Sequence, residues 1–226
     1  MKNFSNSYIF LFSAVMVVVV AAGLSVTALA LKSRQEKNTR IETKRNILSA
    51  LGISSSAEDA ENLFDQYIRR GMVVDASGNE VSGKEYDDAT VASGEFPLYE
   101  AAIEGRPVFV IPLNGKGLWG KIWGYAAISE DGNTLYGVTF SHAGETPGLG
   151  AEIATPEFQA QFRGKKIFDS SGAFAGIRVL KSGSYVPDDH SVDAVSGGTI
   201  TSNGLRDMVY SSLRPYVPFF EVIKSR

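Results

Sequence analysis

Residues 193–204 read DAVSGGTITSNG, and they concentrate side chains that could hold a ligand or carry a modification. Glycine lets the backbone approach a ligand closely. A Ser or Thr just before a periodic apolar run is a candidate helix N-cap. A helix start offers unpaired N–H groups and a partial positive charge, which suit a phosphate. The stretch is therefore either an anion-holding loop or, more commonly in proteins, an ordinary capped helix after a surface loop. Its hydroxyls belong to Ser196, Thr199, Thr201 and Ser202, and its glycine pair is Gly197 and Gly198.

A second group, ETPGLG at residues 145–150, follows a strand-like segment. Gly148 and Gly150 have no side chain to block a flat ligand, and Pro147 fixes the turn. An ordinary Gly/Pro loop is the alternative at this level.

Composition limits the chemistry. The chain has 226 residues and a net charge of -3, with both signs mixed, which argues against a nucleic-acid partner. It has no cysteine, so thiolate chemistry, disulfides and Cys-ligated centres are excluded. Its two histidines, His142 and His190, are far apart in sequence, and we expect no metal site.

Residues 8–31 contain no charge and are almost wholly apolar. As a helix they would span about 36 Å, enough to cross a hydrocarbon core of roughly 30 Å. Signal peptides have shorter apolar cores, roughly 7–15 residues. We therefore expect an uncleaved transmembrane helix, after a tail of residues 1–7 and before a charged juxtamembrane helix of residues 32–52. A signal cleaved after Ala28-Leu29-Ala30 is the alternative.

The remaining residues, 53–226, are expected to form one α+β domain, an antiparallel sheet with packed helices. A β pattern begins at Phe96, and the turn signal at residues 130–133 predicts a hairpin. Pro215 and Pro218 are expected to break the last helix. The predicted helices are residues 57–70, 157–162 and 205–216, and the predicted strands include 108–113, 122–129, 134–141, 165–168 and 176–181.

The run Asp193-x-x-Ser196-Gly197-Gly198-Thr199 resembles the flavinylation motif Asp-x-x-Ser-Gly-Ala-Thr, whose last threonine carries FMN through a phosphoester. Gly198 stands where that family usually has alanine. The ETPGLG loop and residues 116–120, KGLWG, resemble the FMN-binding domain that carries this motif. With the anchor and charged helix, the chain resembles the family of the C subunit of the Na+-translocating NADH:quinone oxidoreductase. The G subunit of the Rnf ferredoxin:NAD oxidoreductase shares the domain and is the alternative.

The resemblance implies that Thr199 is esterified to the phosphate of FMN by an FAD-dependent flavin transferase, and that the chain has no catalytic residue of its own. Asp193 would be oriented toward the metal of that transferase. Thr201 is an alternative attachment point, although we expect it to be a helix N-cap. The phosphodiester carries a single charge, so no arginine cluster is required, and the motif has none.

The resemblance also assigns the other binding residues. Some would hydrogen-bond the phosphodiester and some would line the isoalloxazine, with Leu149 against the ring face. Trp119 and Trp123 would shield the ring or be ordinary core aromatics. The phosphodiester group is Ser196, Gly197 and Gly198, and the ring group is Glu145, Thr146, Leu149 and Gly150.

The family implies a bacterial inner-membrane complex of six subunits that couples NADH oxidation by ubiquinone to sodium export. This FMN would relay electrons from a membrane iron centre to the FMN of another subunit, on the periplasmic side. The basic residues that follow the anchor conflict with this orientation, because the positive-inside rule alone places the domain in the cytoplasm. We follow the family for topology.

Two other functions fit parts of the sequence. A membrane-anchored hydrolase would use Ser196 as nucleophile with His142 or His190 as base, but the context is not a Gly-x-Ser-x-Gly elbow. A non-redox anchored binding domain would not need both motifs.

Overall fold

The computed structural model describes residues 5–84, 86, 94–181 and 188–224. The chain divides into two compact units, Met1–Thr43 and Lys44–Arg226. Helix α1 (Asn6–Ala50) runs through the first unit and contributes its last turns to the second. By length and composition, α1 could cross a membrane. Its large apolar side chains from Tyr8 to Leu31 are exposed, as a lipid-facing helix requires.

The second unit is built on an antiparallel sheet in which each strand pairs with the next in the sequence. Such neighbours need only short connections, which the sequence provides. The predicted α+β fold is confirmed, as is the predicted hairpin around the turn of residues 130–133. The strands are β1 (Ile68–Val74), β2 (Phe96–Ile103), β3 (Arg106–Lys116), β4 (Lys121–Ile128) and β5 (Leu135–His142).

The other elements surround this sheet. A two-stranded parallel pair, β6 (Arg178–Leu180) and β7 (Ser191–Asp193), lies immediately before the last helices in the sequence. Two 3-10 turns, Gly150–Ala154 and Arg214–Tyr216, join neighbouring elements. The helices are α2 (Ala60–Tyr67), α3 (Pro156–Ala160), α4 (Thr199–Leu213) and α5 (Val217–Lys224), and the paired strands are β6 (Arg178–Leu180) and β7 (Ser191–Asp193).

The larger of two hydrophobic cores lies on one face of the sheet. Helices α4 and α5 bury their apolar sides in this core, against side chains of the strands. Helix α4 contributes an apolar stripe at helical spacing, and each such side chain stabilises the fold by roughly 1.5–3 kcal/mol when fully buried. This packing fixes where α4 begins, and hence where Thr199 lies. The buried stripe consists of Leu205, Met208, Val209 and Leu213.

The opposite face of the sheet carries a smaller core, to which the last turns of α1 contribute Ile47, Ala50 and Leu51. Thr139 Oγ1 donates a hydrogen bond to the carbonyl of Asn46 at 3.1 Å. Within the described residues, each face of the sheet therefore packs against a hydrophobic core.

Several predicted boundaries are wrong, and the helix predicted over residues 205–216 spans Thr199–Leu213. The helix predicted to reach residue 70 ends at Tyr67, because residues 68–70 pair with β2 and Arg70 binds Glu100 and Glu80. Residues 165–168 form only isolated bridges beside β5. Pro218 does not break a helix, since it lies in the first turn of α5, where its missing N–H costs nothing.

Candidate cofactor site

Thr199 is the first residue of α4, and its side chain is exposed. The N-cap residue is Gly198, which supplies no side-chain cap. The prediction that Thr201 is the N-cap is therefore wrong. Thr201 lies in the first turn with its side chain buried, which makes it a poor attachment point. The exposed hydroxyl at the helix start is the one the motif singles out.

Thr199 lines a groove of about 220 Å³ between β6 and the start of α4. Apolar side chains, including Val179 and Val195, line the remainder of this groove. A helix N-terminus at such a groove favours an anion. The polar and glycine residues of the lining are Lys181, Ser196, Gly197, Thr199, Ser202 and Asn203.

Glu145 joins the two motif loops. The Thr201 hydroxyl donates to Glu145 Oε2 at 2.6 Å, across 56 positions of sequence. The Trp119 amide donates to Oε1 at 2.8 Å. The carboxylate is buried, with the residue only 3% exposed. One side chain thus fixes the KGLWG loop, the ETPGLG loop and the first turn of α4 to one another.

The hydrogen bonds keep this carboxylate charged. Burial by itself would raise the pKa of Glu145, but the bonds from the Thr201 hydroxyl and from the amides of Trp119, Gly120 and Leu118 outweigh it and hold the pKa below its ordinary value. A carboxylate with several donors is more strongly bound than a neutral acceptor. Both oxygens face the protein, so Glu145 acts on the site by positioning its loops.

Two glycines make this close packing possible. A Cβ on Gly150 would lie 2.5 Å from Thr201 Oγ1 and 2.6 Å from Glu145 Oε2. A Cβ on Gly117 would lie 2.5 Å from Glu145 Oε1. Any side chain at either position would therefore push the loops away from the carboxylate.

The ETPGLG loop makes a tight turn that leaves its tip exposed. Gly148 has a φ of 73° and donates its N–H to Glu152 Oε1 at 3.0 Å. The Leu149 amide donates to the Thr146 carbonyl at 3.1 Å. Leu149 and Thr146 are exposed, while Gly150 is buried. The turn thus presents an apolar side chain and a hydroxyl to solvent.

Gly197 and Gly198, the two glycines of the DAVSGGT run, have different surroundings. Gly197 has a φ of 73°, and a Cβ there would lie 2.7 Å from Leu149 Cδ2, so the two loops touch at this point. Gly198 has a negative φ, and a Cβ there would lie 3.1 Å from Val195. An alanine at this position would fit after a shift of a few tenths of an ångström in Val195.

An exposed apolar patch adjoins Thr199 and the groove. Leu118, Trp119, Leu149 and Ile200 are 46%, 70%, 42% and 59% exposed. Side chains of this size on an otherwise polar surface mark a binding surface when they cluster. Trp123, the other candidate shield, is half-buried on β4 beside Lys121.

Asp193 ends β7 and is held by its backbone. Its N–H donates to Gln161 Oε1 at 2.8 Å, and the Gln161 amide reaches its carbonyl at 3.5 Å. Its Oδ1 atom is buried and has no hydrogen-bond partner within the described part of the chain. An unpaired buried carboxylate oxygen costs stability, so a functional reason for it is expected.

Among the residues that the structure describes, neither histidine pairs with Ser196. His142 Nδ1 accepts the Glu145 N–H at 3.1 Å, and His190 Nδ1 lies 2.7 Å from the Lys166 carbonyl. The Nδ1 atom of each ring thus faces a backbone group. These candidates for the nucleophile and base of a hydrolase do not converge on one site.

The structure brings the predicted residues of the two motifs to one end of the domain. The sequence pattern did not indicate Lys181, Gln161 or Asn203, because their link to the motif depends on the β6–β7 pairing and on the turns of α3 and α4. It did not predict the anchoring role of Thr201 either. The only available signal was the spacing of Thr201, two residues after Thr199 on the inward side of the helix.

Comparison with known proteins defines the class first: the FMN-binding domain family matches residues 117–214. Among curated relatives, the C subunit of the Na(+)-translocating NADH-quinone reductase of Vibrio vulnificus (strain YJ016) is 34% identical over 81% of each chain. The corresponding C subunit of Neisseria meningitidis serogroup B is 31% identical over 95% of each. The crystal structure of the Parabacteroides distasonis C subunit has 40% identity and a TM-score of 0.78, and it covers 84% of this chain and 96% of that one.

The chain therefore belongs to the family of the C subunit of the Na+-translocating NADH-quinone reductases, which are oxidoreductase complexes. The predicted resemblance is confirmed, and it decides for this family over the G subunit of the Rnf complex and over an anchored binding domain without redox function.

Proposed function

We propose that this chain carries FMN covalently on Thr199 and relays electrons within a Na+-translocating NADH-quinone reductase. The observation that supports this most is the exposed Thr199 hydroxyl at the start of α4, beside a groove and next to the ETPGLG loop. The Thr201–Glu145 hydrogen bond holds the two motifs in that arrangement.

Attachment needs FAD and a transferase that the chain does not supply. The Thr199 oxygen forms a bond to the FMN-side phosphorus of FAD, while the bond between that phosphorus and the bridging pyrophosphate oxygen breaks. AMP leaves, and the hydroxyl proton passes to a base of the transferase. Asp193 lies at the entrance to the motif loop, and its unpaired Oδ1 is buried, so the loop would have to open for this oxygen to reach the transferase's metal.

The residues around Thr199 fit FMN. The groove, which Ser196 and Gly197 line, suits the phosphodiester and the start of the ribityl chain, whereas the Gly198 N–H already donates to the Val195 carbonyl at 3.0 Å. The exposed apolar patch suits a flat aromatic ring, with Leu149 against its face and Trp119 at its edge. Thr146 and Gly150 belong to the ETPGLG loop, which would lie beneath the ring. Glu145 acts here through its loops and makes no contact with the ring.

The flavin, once bound, supplies the one-electron and two-electron chemistry, and the protein supplies position and electrostatics. A covalent tether keeps the cofactor at high effective concentration, so it cannot be lost between turnovers. Both properties suit a relay. We place it between a membrane iron centre and the flavin of a neighbouring subunit, in a complex of six subunits that takes electrons from NADH to quinone.

Residues 8–31 of α1 serve as the single anchor in the bacterial inner membrane, with the domain of residues 53–226 on the periplasmic side. The exposed apolar surface of this helix supports an anchor. The basic residues of the juxtamembrane helix, residues 32–52, would then contact partner subunits or lipid headgroups.

Fluorescence of the denatured protein tests the attachment. After co-expression with a flavin transferase, the protein without any substitution should give a fluorescent band on a denaturing gel, because only a covalently bound flavin stays attached after denaturation. Thr199→Ala should give a dark band, while Thr146→Ala, the same change at the exposed hydroxyl of the other motif, should stay fluorescent. A fluorescent Thr199→Ala band would contradict the proposal.

A further inference from the structure

Lys181 lies on the same groove as Thr199, although 18 positions separate them in the sequence. The pairing of β6 with β7 places it there. Leu180 is in register with Asp193, and the Ala194 amide donates to the Leu180 carbonyl at 2.7 Å. The residue after β6 therefore runs beside the motif loop that follows β7.

Among the described residues that line the groove, Lys181 is also the only ionisable one. Three other cations near β6 and β7 already have partners. Lys166 Nζ lies 2.6 Å from Asp189 Oδ2, Arg178 pairs with Asp188, and Lys165 donates to the Asp188 carbonyl. Within residues 5–84, 86, 94–181 and 188–224, Lys181 has no such ion pair. In this part of the chain it is thus a cation without a counter-charge, on a groove without an acidic side chain.

We propose that the Lys181 ammonium is the counter-charge of the phosphate carried by Thr199, and of the FAD pyrophosphate as the modification takes place. This rests on the proposed function. A phosphodiester carries one negative charge, and a single ammonium balances it. The start of α4 adds partial positive charge on the other side. Lysine suits this role as a compact point charge on a flexible stem, able to follow the phosphate from FAD to the protein.

A lysine in this role has two effects that an ordinary surface lysine would not have. During modification, the ammonium stabilises the charge that develops as the P–O bond to AMP breaks. In the modified protein, it lies against the phosphodiester and changes the environment of the phosphorus atom. Both effects require a positive charge at this position and no particular shape.

The test uses the full-length chain in detergent with purified transferase and FAD. Lys181→Ala is compared with Lys181→Arg, which keeps the charge, and with Lys166→Ala, which removes a half-buried, ion-paired cation outside the groove. The first measurement is the initial rate of flavin attachment by intact mass. The second is the 31P NMR shift of the phosphodiester in the fully modified proteins.

We expect Lys181→Ala to slow attachment about tenfold, equivalent to ~1.4 kcal/mol of transition-state stabilisation. Lys181→Arg should recover most of the attachment rate. Lys166→Ala should attach flavin at the same rate as the protein without any substitution. The phosphorus resonance should move in Lys181→Ala only.

An unchanged rate in Lys181→Ala would overturn the proposal. So would a slow rate with an unmoved phosphorus resonance, because the lysine would then serve only the docking of the transferase. If the protein without any substitution gained no flavin, the proposed function itself would fail. That result differs from a failure of the lysine proposal, in which the flavin is attached but Lys181→Ala has no effect.

Discussion

At the scale of single residues, Glu145 holds the site together. Its buried carboxylate accepts from Thr201 on α4 and from the amide of Trp119, so removal of its charge should loosen three segments at once. A hydrogen bond to a charged group contributes roughly 1.5–3 kcal/mol. Glu145→Gln keeps the shape but loses one acceptor, and we expect it to lower the stability of the domain by about 2 kcal/mol at neutral pH.

The pH dependence follows from the pKa of Glu145, which is below its ordinary value in the folded protein. The stability that this group contributes is fully present above the unfolded pKa of about 4.3, and it is lost as the pH falls through the folded pKa. The difference between Glu145→Gln and the unmodified sequence should therefore shrink in acid. Thermal unfolding in detergent, followed by tryptophan fluorescence at neutral and acid pH, measures this.

Glu157→Gln is the matched control, because Glu157 is exposed on α3 and the same change there should cost less than about 0.5 kcal/mol. Equal losses in the two variants, or a Glu145→Gln loss that grows in acid, would show that the carboxylate is not the link between the loops.

The sequence could predict the residues of the two motifs but not the tie between them. Thr199 and Thr201 have the same side chain and nearly the same neighbours in sequence. One is exposed on a groove and the other is buried against Glu145 only because α4 begins at Thr199. A helix start is the least certain boundary in sequence reasoning, and here the cap is a glycine without a side chain to mark it.

At the scale of elements, the start of α4 depends on how closely the helix approaches β3. A Cβ on Gly204 would lie 2.3 Å from the carbonyl oxygen of Lys116, and a Cβ on Gly115 would lie 2.5 Å from Met208 Cβ. The two glycines allow the helix to rest on the end of the strand that leads into the KGLWG loop. Larger residues at either position would move Thr199 away from the ETPGLG loop.

We therefore expect Gly204→Ala to destabilise the domain by about 1–3 kcal/mol, since the new methyl group meets a backbone atom that cannot turn aside. The helical φ of Gly204 would otherwise favour alanine, so helix propensity predicts the opposite sign. Thermal unfolding measures the change. Gly144→Ala is the control, because a Cβ there meets nothing within 4 Å. A Gly204→Ala protein as stable as the control would refute the close packing.

Sequence patterns were most successful for elements whose neighbours are adjacent in the chain. The hairpin of β4 and β5 was predicted because both strands and their turn lie within residues 121–142. The end of α2 was not, because the pairing of Ile68 with Ala101 reaches across more than thirty residues and overrides the local helical pattern. The pairing of β6 with β7 was missed because the three residues of β7 are too few to show a strand pattern in the sequence.

At the scale of the whole molecule, cysteine labelling can determine which side of the membrane the domain is on. The chain has no cysteine of its own, so an introduced cysteine would be the one thiol that reacts. A cysteine introduced at exposed Glu58, after the anchor, should react with a membrane-impermeant thiol reagent in intact cells. A cysteine at Ser5, before the anchor, should react only after lysis. The family predicts this pattern, and the reverse pattern would favour the positive-inside rule.

The central claim is that Thr199 carries the flavin, and mass spectrometry tests it most directly. The full-length protein, purified after co-expression with its transferase, should exceed its polypeptide mass by one FMN less one water, and fragmentation should place the addition on Thr199. Thr199→Ala should run at its bare polypeptide mass. An unmodified protein despite an active transferase, or an addition that fragmentation assigns to Thr201 or to another residue, would contradict the account.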